Sequence, residues 1–167
     1  MTPTGIQTIR SVIPADTTAM ADLLNEIIDI GGTTALEDHV DAHTLQVWFL
    51  DPMRAHCCHV AIDDKGKVAG FQALEKTEAY GQGIGEISTF ARQTPVIKGV
   101  GTALFKATKA AARGAGLSAI NAKIRADNTP GLAYYTKMGF QDHSVIHAVP
   151  LRNGTPVDRV LKRFPLN

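Results

Sequence analysis

The first part of the chain carries apolar residues in two kinds of spacing. A weak alternation from Thr8 to Ile13, closed by Pro14, predicts an opening strand. Apolar residues then recur every three or four positions up to Gly31 and Gly32, which is the pattern of an amphipathic helix. The members of this stripe are Met20, Leu23, Leu24, Ile27 and Ile28. We expect the stripe to lie in the core.

Residues 33–50 predict a loop followed by a second helix that carries Val40, Val47 and Trp48. His39 and His43 lie four residues apart and are expected on this helix. An HxxxH pair without the intervening glutamate or a third ligand does not predict a metal site. His56 and His59 are three apart on a strand, so they face opposite sides of the sheet. We therefore expect no metal.

The middle of the chain has the alternation of strands. The segments His59 to Asp63 and Val68 to Leu74, joined by the turn at 64–66, predict an antiparallel hairpin. Residues 75–85 lead outward through GQGIG, which lacks the strand-before and helix-after context of a dinucleotide fingerprint. Residues 85–92 then predict a third strand.

A tight glycine turn, Lys98 to Gly101, leads directly into the next amphipathic stripe. The stripe consists of Val100, Ala103, Leu104, Ala107 and Ala111, and Gly114 and Gly116 end the helix. The first turn of a helix leaves backbone N–H groups without partners and carries the positive end of the helix dipole. Glycines also let the backbone approach a ligand closely. The pattern therefore predicts an anion cradle.

The last third predicts a strand, a helix and a hairpin. Residues 117–125 alternate, with Ile120, Ala122 and Ile124 on a face expected to be the better buried. Pro130 begins a helix, and its inward residues are expected to be Leu132, Ala133, Tyr135 and Met138. Residues 143–149 and 157–164 flank an Asn153-Gly154 turn. The whole order predicts an α/β fold with a mixed sheet.

Composition limits the classes of partner. The 167 residues favour one domain, and 17 Lys and Arg against 16 Asp and Glu leave a net charge of +1. Neither a nucleic-acid footprint nor a membrane-spanning apolar run is indicated. The two cysteines, Cys57 and Cys58, are adjacent on a strand, where a disulfide between them is geometrically poor. We expect a soluble cytoplasmic protein.

Two motifs, one at residues 96–101 and a later one at residues 128–140, resemble those of the GNAT superfamily of acyl-CoA-dependent N-acetyltransferases. The pyrophosphate loop of that family, (Q/R)-x-x-G-x-(G/A), falls on residues 96–101. The later pattern, N-x-x-(A/S) followed by Y-x-K-x-G-F, is more specific because it combines more residue types. It falls on Asn128, Gly131, Tyr135, Lys137, Gly139 and Phe140.

This chain departs from the family pattern at two positions. Val96 stands where Gln or Arg is usual, so a side-chain contact to pyrophosphate is lost, while backbone N–H groups and Lys98 remain. Gly131 stands where Ala or Ser is usual, which we expect to matter little for size.

The resemblance implies a GNAT-like three-layer fold over residues 1–167, with a mostly antiparallel sheet of about seven strands and about four helices. It also implies direct acetyl transfer from acetyl-CoA to an amine, with no acyl-enzyme. The implied residues for acetyl-CoA are Val96, Ile97, Lys98, Gly99, Val100, Gly101, Thr102, Asn128 and Tyr135. A homodimer is compatible with the resemblance.

Two residues are the leading catalytic candidates. Glu86, at the start of the strand before the glycine turn, is expected to act as a base through water, as glutamates do in related enzymes. Tyr135 has a phenol proton for the leaving thiolate, whereas Tyr134 is expected to point elsewhere on the helix. Asn128 is expected to contact pantetheine or cap the helix at Pro130. His143 and His147 are reserve bases.

Residues 30–35 are similar to the matching region of phosphinothricin and methionine-derivative N-acetyltransferases, which favours a small amine or amino acid as the acceptor. Two alternatives stay open. Val96 favours a regulatory module that binds acyl-CoA without turnover, since a fold does not guarantee activity. A protein N-acetyltransferase would need a groove for a peptide.

Overall fold

The computed structural model describes residues 5–167. Its order of strands and helices is the predicted one, with a short 3-10 turn, Pro14–Asp16, added before the first helix. The elements are β1 (Ile6–Ser11), α1 (Thr17–Ile30), α2 (Ala42–Phe49), β2 (Ala55–Asp63), β3 (Val68–Lys76), β4 (Ile84–Ala91), α3 (Val100–Gly114), β5 (Ala119–Arg125), α4 (Thr129–Met138), β6 (Gln141–Pro150) and β7 (Pro156–Pro165).

All seven strands form one sheet in the order β1-β2-β3-β4-β5-β7-β6. Every neighbouring pair is antiparallel except β4 and β5, which run parallel because α3 crosses over between them. The prediction of a mixed, mostly antiparallel sheet with four helices is confirmed.

The helices cover the sheet on both faces, which makes three layers. On one face, α1 and α2 bury residues such as Met20 and Leu45 against Val60 and Phe71 of the sheet. On the other face, α3 and α4 bury Leu104, Phe105 and Tyr135 against small or apolar strand residues, which include Ala61, Ala69, Ile120 and Ala122. Burial of these apolar surfaces stabilises the fold.

Several local predictions were wrong. Strand β1 lies two residues earlier than predicted, since Ile6 already pairs with Asp63 of β2. Strand β5 is buried on both faces apart from Lys123, because helices and neighbouring strands enclose it. On α4, Ala133 is exposed rather than inward-facing. His39 precedes α2, and its Nε2 lies 2.6 Å from Oδ1 of Asp29 on α1. His39 and His43 therefore do not share a helix.

Within residues 5–167, no helix is long and apolar enough to cross a membrane.

Candidate active site

The parallel pair β4 and β5 opens a gap in the sheet. Their ladder ends at the pair Ile87 and Ala122, although β4 continues to Ala91 and β5 to Arg125. Beyond that point the strands separate, and their facing backbone groups are available to a bound molecule. A cavity of about 700 Å³ occupies the gap. It reaches from Gly101 at the start of α3 to carboxylates on the α1–α2 face of the sheet.

The start of α3 has the geometry expected of an anion cradle. Gly99 precedes the helix with φ +83°, a left-handed conformation that favours glycine. Among the described residues no side chain caps this helix, so the N–H groups of its first turn face outward without side-chain acceptors. Val100 and Ile97 are buried and anchor the turn. Val96 is 70% exposed, and Lys98 and Thr102 are also exposed.

Tyr135 is held at the bottom of the cavity by packing and by one hydrogen bond. Its ring packs edge-on against Phe140 at 5.1 Å, and only 7% of the residue is exposed. Its hydroxyl lies 2.9 Å from Oγ1 of Thr89. Burial raises the pKa of this phenol above its ordinary value, and the contact with Thr89 partly opposes that rise. The phenol is therefore protonated at neutral pH.

Tyr134 also lines the cavity, which the sequence interpretation missed. Its hydroxyl donates to the backbone oxygen of Gly101 at 2.7 Å, and burial raises its pKa to about 12. A Cβ on Gly101 would lie 2.5 Å from Cε1 of Tyr134. The glycine therefore allows the first turn of α3 to approach α4. Tyr134 is next to Tyr135 in the sequence, but the direction of its side chain depends on how α4 packs against α3.

Asn128 caps α4, as predicted. Its Oδ1 accepts from the N–H of Gly131 at 3.0 Å, and its Nδ2 donates to the backbone oxygen of Thr33 at 3.2 Å. The expectation that Gly131 matters little was wrong, because a Cβ there would lie 2.3 Å from Nδ2 of Asn128. Gly131 thus permits the side chain of Asn128 to tie α4 to the α1–α2 loop.

Arg125 supports the same loop from the end of β5. Its guanidinium forms two hydrogen bonds with the carboxylate of Asp127, at 2.9 and 2.7 Å, and donates to the backbone oxygen of Thr34 at 3.1 Å. A bidentate pair of this kind fixes both position and orientation. The α1–α2 loop, which forms one wall of the cavity, is thereby attached to the strand beneath it.

Two carboxylates, Glu86 and Glu75, meet in the cavity. They are direct partners in the β3–β4 register, so both side chains lie on the face that α1 and α2 cover. Glu86 accepts a hydrogen bond from the hydroxyl of Tyr80 at 3.3 Å, and Nζ of Lys123 lies 3.8 Å from it. Burial, and then the charge of Glu86, raises the pKa of Glu75.

Glu75 was missed because the sequence placed it in the segment leading out of the sheet. Strand β3 continues to Lys76, and the position of Glu75 opposite Glu86 follows from the register alone. No local sequence signal marks that pairing.

The reserve bases lie elsewhere. His143 and His147 are on the exposed edge strand β6, and neither lines the cavity. His147 contacts Asp158 at 3.3 Å instead. In the part of the chain from residue 5 onward, no three His, Cys, Asp or Glu side chains are grouped closely enough to hold a metal ion.

The chain is similar to known proteins in sequence and in fold. Residues 20–140 match the sequence model described as the Acetyltransferase (GNAT) family. The comparison with curated protein sequences returned no match.

Solved structures share the fold over nearly the whole chain. The protein yncA of Salmonella typhimurium, determined with its cofactor acetyl-CoA, is 19% identical with a TM-score of 0.83, covering 96% of this chain and 94% of that one. A phosphinothricin acetyltransferase of Sinorhizobium meliloti in complex with acetyl-CoA is also 19% identical, with a TM-score of 0.83 and coverage of 96% and 88%. An N-acetyltransferase of Staphylococcus aureus Mu50 is 18% identical, with a TM-score of 0.85 and coverage of 99% and 100%.

Proposed function

This chain belongs to the Acetyltransferase (GNAT) family, and we propose on that basis that it transfers an acetyl group from acetyl-CoA to the amine of a small molecule, an amino acid or a close analogue. The observation that carries this proposal is the continuous cavity. It joins the uncapped start of α3, which suits the phosphates of CoA, to the Glu75–Glu86 pair, which suits an ammonium group.

Acetyl-CoA fits the residues that the structure provides. The N–H groups of residues 96–102 would receive the pyrophosphate, with Lys98 as an exposed cation beside them. The gap between β4 and β5 would hold the pantetheine arm, because separated strands offer backbone donors and acceptors. Asn128 already uses both ends of its amide within the protein, so we assign it to shaping the cavity more than to direct contact.

The reaction needs a neutral amine and a protonated leaving group. Glu86 accepts a proton from the ammonium substrate through water, and the amine nitrogen then forms a bond to the acetyl carbon. The C–S bond breaks, Tyr135 gives its proton to the departing sulfur, and the resulting phenolate takes the second proton from the nitrogen of the new amide. The raised pKa of Tyr135 keeps the phenol protonated in the resting protein.

The charges on the α1–α2 face support an amino acid as the acceptor. The carboxylates of Glu75 and Glu86 attract the ammonium group of the acceptor, and Lys123 on the neighbouring strand β5 can attract its carboxylate. A lysine-type amine with a pKa near ~10.4 would add roughly 4–5 kcal/mol to the barrier at neutral pH, whereas an α-amine near ~8 adds about 1–1.5 kcal/mol. The α-amine places the smaller demand on the base.

A panel of amines tests the function. Purified protein with acetyl-CoA is assayed for free thiol against amino acids, the matching amines that lack the carboxylate, and lysine-containing peptides. We expect the amino acids to have the highest kcat/KM. Preferred turnover of peptides would make the protein a protein acetyltransferase, and acetyl-CoA binding without turnover of any amine would make it a regulatory module.

Replacing Glu86 by glutamine tests the base. For an α-amino substrate we expect kcat/KM to fall about tenfold at neutral pH, because about one pH unit separates the amine from its neutral form. Raising the pH should largely restore the rate, since the free amine then forms without help. Rate against pH is measured for both proteins with one substrate. Identical profiles would mean that Glu86 takes no part in proton transfer.

Replacing Glu75 by glutamine tests the second carboxylate. We expect KM for the amine to rise about tenfold with little change in kcat, because a charge-assisted contact contributes to binding alone. In the parent protein, KM for the amine should begin to rise on acidification at a higher pH than it would with an ordinary glutamate. The reason is that the raised pKa of Glu75 lets its carboxylate gain a proton, and lose its charge, at a higher pH. That rise should be absent in Glu75→Gln. An unchanged KM would remove Glu75 from the acceptor site.

The remaining predictions concern domain organisation, location and partners. One fold covers all the described residues, which supports a single acetyltransferase domain; residues 1–4 of the predicted range 1–167 lie outside the described part. A cytoplasmic location and a homodimer stay predictions, as does the absence of nucleic-acid and membrane partners.

A further inference from the structure

A chain of hydrogen bonds connects the two tyrosines of α4 beneath the cavity. Gln72 of β3 and Thr89 of β4 are direct partners in the register. Nε2 of Gln72 lies 2.9 Å from Oγ1 of Thr89 and 3.1 Å from the hydroxyl of Tyr134. Oγ1 of Thr89 in turn lies 2.9 Å from the hydroxyl of Tyr135. Gln72 is 0% exposed, so its own amide is shielded from water.

The backbone oxygen of Gly101 determines which groups donate and which accept in this chain of hydrogen bonds. A carbonyl oxygen only accepts, so Tyr134 must use its single hydrogen to donate to Gly101. The same hydroxyl can then only accept from Gln72, which places the amide nitrogen rather than the amide oxygen of Gln72 at that contact. Because one nitrogen makes both contacts, Oγ1 of Thr89 also accepts from Gln72.

The hydroxyl hydrogen of Thr89 is therefore free for Tyr135. We propose that Thr89 is a positioning residue that donates this hydrogen to the phenol oxygen of Tyr135, with Gln72 setting the direction, so that the proton of Tyr135 points away from the protein toward the departing sulfur. The proposal rests on the proposed function, because it assigns Thr89 a role through the acid of that reaction.

This arrangement serves the reaction in two ways. Before transfer, the phenol oxygen of Tyr135 accepts a hydrogen bond from Thr89, so the phenol does not donate its own hydrogen to Thr89. After transfer, the phenolate still accepts the hydrogen bond from Thr89, which stabilises the negative charge left on the oxygen. The proton has moved from the phenol oxygen to sulfur, while the hydrogen bond from Thr89 to the oxygen of Tyr135 is retained.

The chain of hydrogen bonds also joins Tyr135 to the start of α3. Gly101 belongs to the predicted acetyl-CoA cradle, and its carbonyl is the acceptor from which the donor direction follows. The acid is thus oriented by the same helix turn that would bind the phosphates.

Thr89→Val and Thr89→Ser form the kinetic test, since valine has the shape of threonine without the hydroxyl and serine retains it. We expect kcat to fall about tenfold in Thr89→Val, the effect of one lost hydrogen bond, with acetyl-CoA affinity unchanged by calorimetry. Thr89→Ser should restore most of the rate. In a Tyr135→Phe background, Thr89→Val should cost nothing further, because Thr89 acts only through the phenol.

Thr108→Val is the matched control. Thr108 is 0% exposed, lies on α3 outside the cavity, and its Oγ1 has no partner among the described residues. The same change there should leave kcat unaltered. A tenfold loss at Thr108, or an equal loss from Thr89→Val with and without the phenol of Tyr135, would overturn the proposal.

Infrared spectroscopy of the resting protein decides the direction without turnover. In protein labelled with 13C at the tyrosine ring carbon that bears oxygen, the C–O stretching band moves in opposite directions when a phenol loses an accepted or a donated hydrogen bond. The Tyr135 band is assigned by its loss in Tyr135→Phe. We expect Thr89→Val to shift it as a lost accepted bond would. A band shift of the opposite sign, or no shift, would overturn the proposal for Thr89 even if the protein acetylates amines. The expected band shift in a protein that acetylates no amine would count against the proposed function alone.

Discussion

Gly101→Glu is expected to abolish acetyl-CoA binding. A Cβ at this position would lie 2.5 Å from the ring of Tyr134, so any side chain forces α3 and α4 apart or displaces the tyrosine. The carboxylate would also add a negative charge at the helix end where the phosphates are expected to bind. Calorimetric titration of acetyl-CoA measures the loss, which we expect to exceed a hundredfold in Kd.

Gly114→Ala is the control for this change. Gly114 is at the other end of the same helix, and a Cβ there meets nothing within 4 Å. That variant should bind acetyl-CoA like the parent protein. If folded Gly101→Glu, with its circular dichroism and Tm close to those of the parent, still bound acetyl-CoA with unchanged affinity, the start of α3 would not be the phosphate site.

Tyr135→Phe is expected to lower kcat by about ten- to a thousandfold, the usual range for a positioned acid. Phenylalanine retains the ring contact with Phe140 and removes only the hydroxyl that faces Thr89. Acetyl-CoA affinity should change little, because the ring still fills the bottom of the cavity. Steady-state kinetics with one acceptor and calorimetry with acetyl-CoA separate the two effects.

The outcome for Tyr134→Phe distinguishes the two tyrosines. That change removes the hydrogen bond to Gly101, so we expect it to weaken acetyl-CoA binding more than Tyr135→Phe does. A parent-like kcat in Tyr135→Phe would mean that Tyr135 serves packing alone, and a large loss in Tyr134→Phe with intact binding would transfer the acid role to Tyr134.

Local signals were sufficient for the elements and for one part of the site. The stripe from Met20 to Ile28 and the glycine turn before Val100 act within a few residues of chain, where periodicity and backbone freedom decide the conformation. Capping of α4 by Asn128 is equally local. For the same reason, element order and fold class could be predicted, and the motif around Tyr135 indicated the family.

Contacts between distant segments could not be predicted in this way. Glu75 became a cavity residue only because β3 pairs with β4 in a register that places it opposite Glu86. The orientation of Tyr134 depends on the close approach of α3 and α4 at Gly101, and the consequence of Gly131 depends on the rotamer of Asn128.

The amino-acid sequence by itself thus determined the order of elements, the glycine turn at the start of α3 that we propose as the anion cradle, and the two residues proposed as base and acid. Only the tertiary structure decided which polar groups surround them: Glu75 beside Glu86, and Thr89 with Gln72 beside Tyr135. The physical reason is the distance along the sequence over which each of these preferences acts. Helix and turn preferences depend on neighbours within about four residues, whereas strand register and helix packing depend on the burial of whole faces at once.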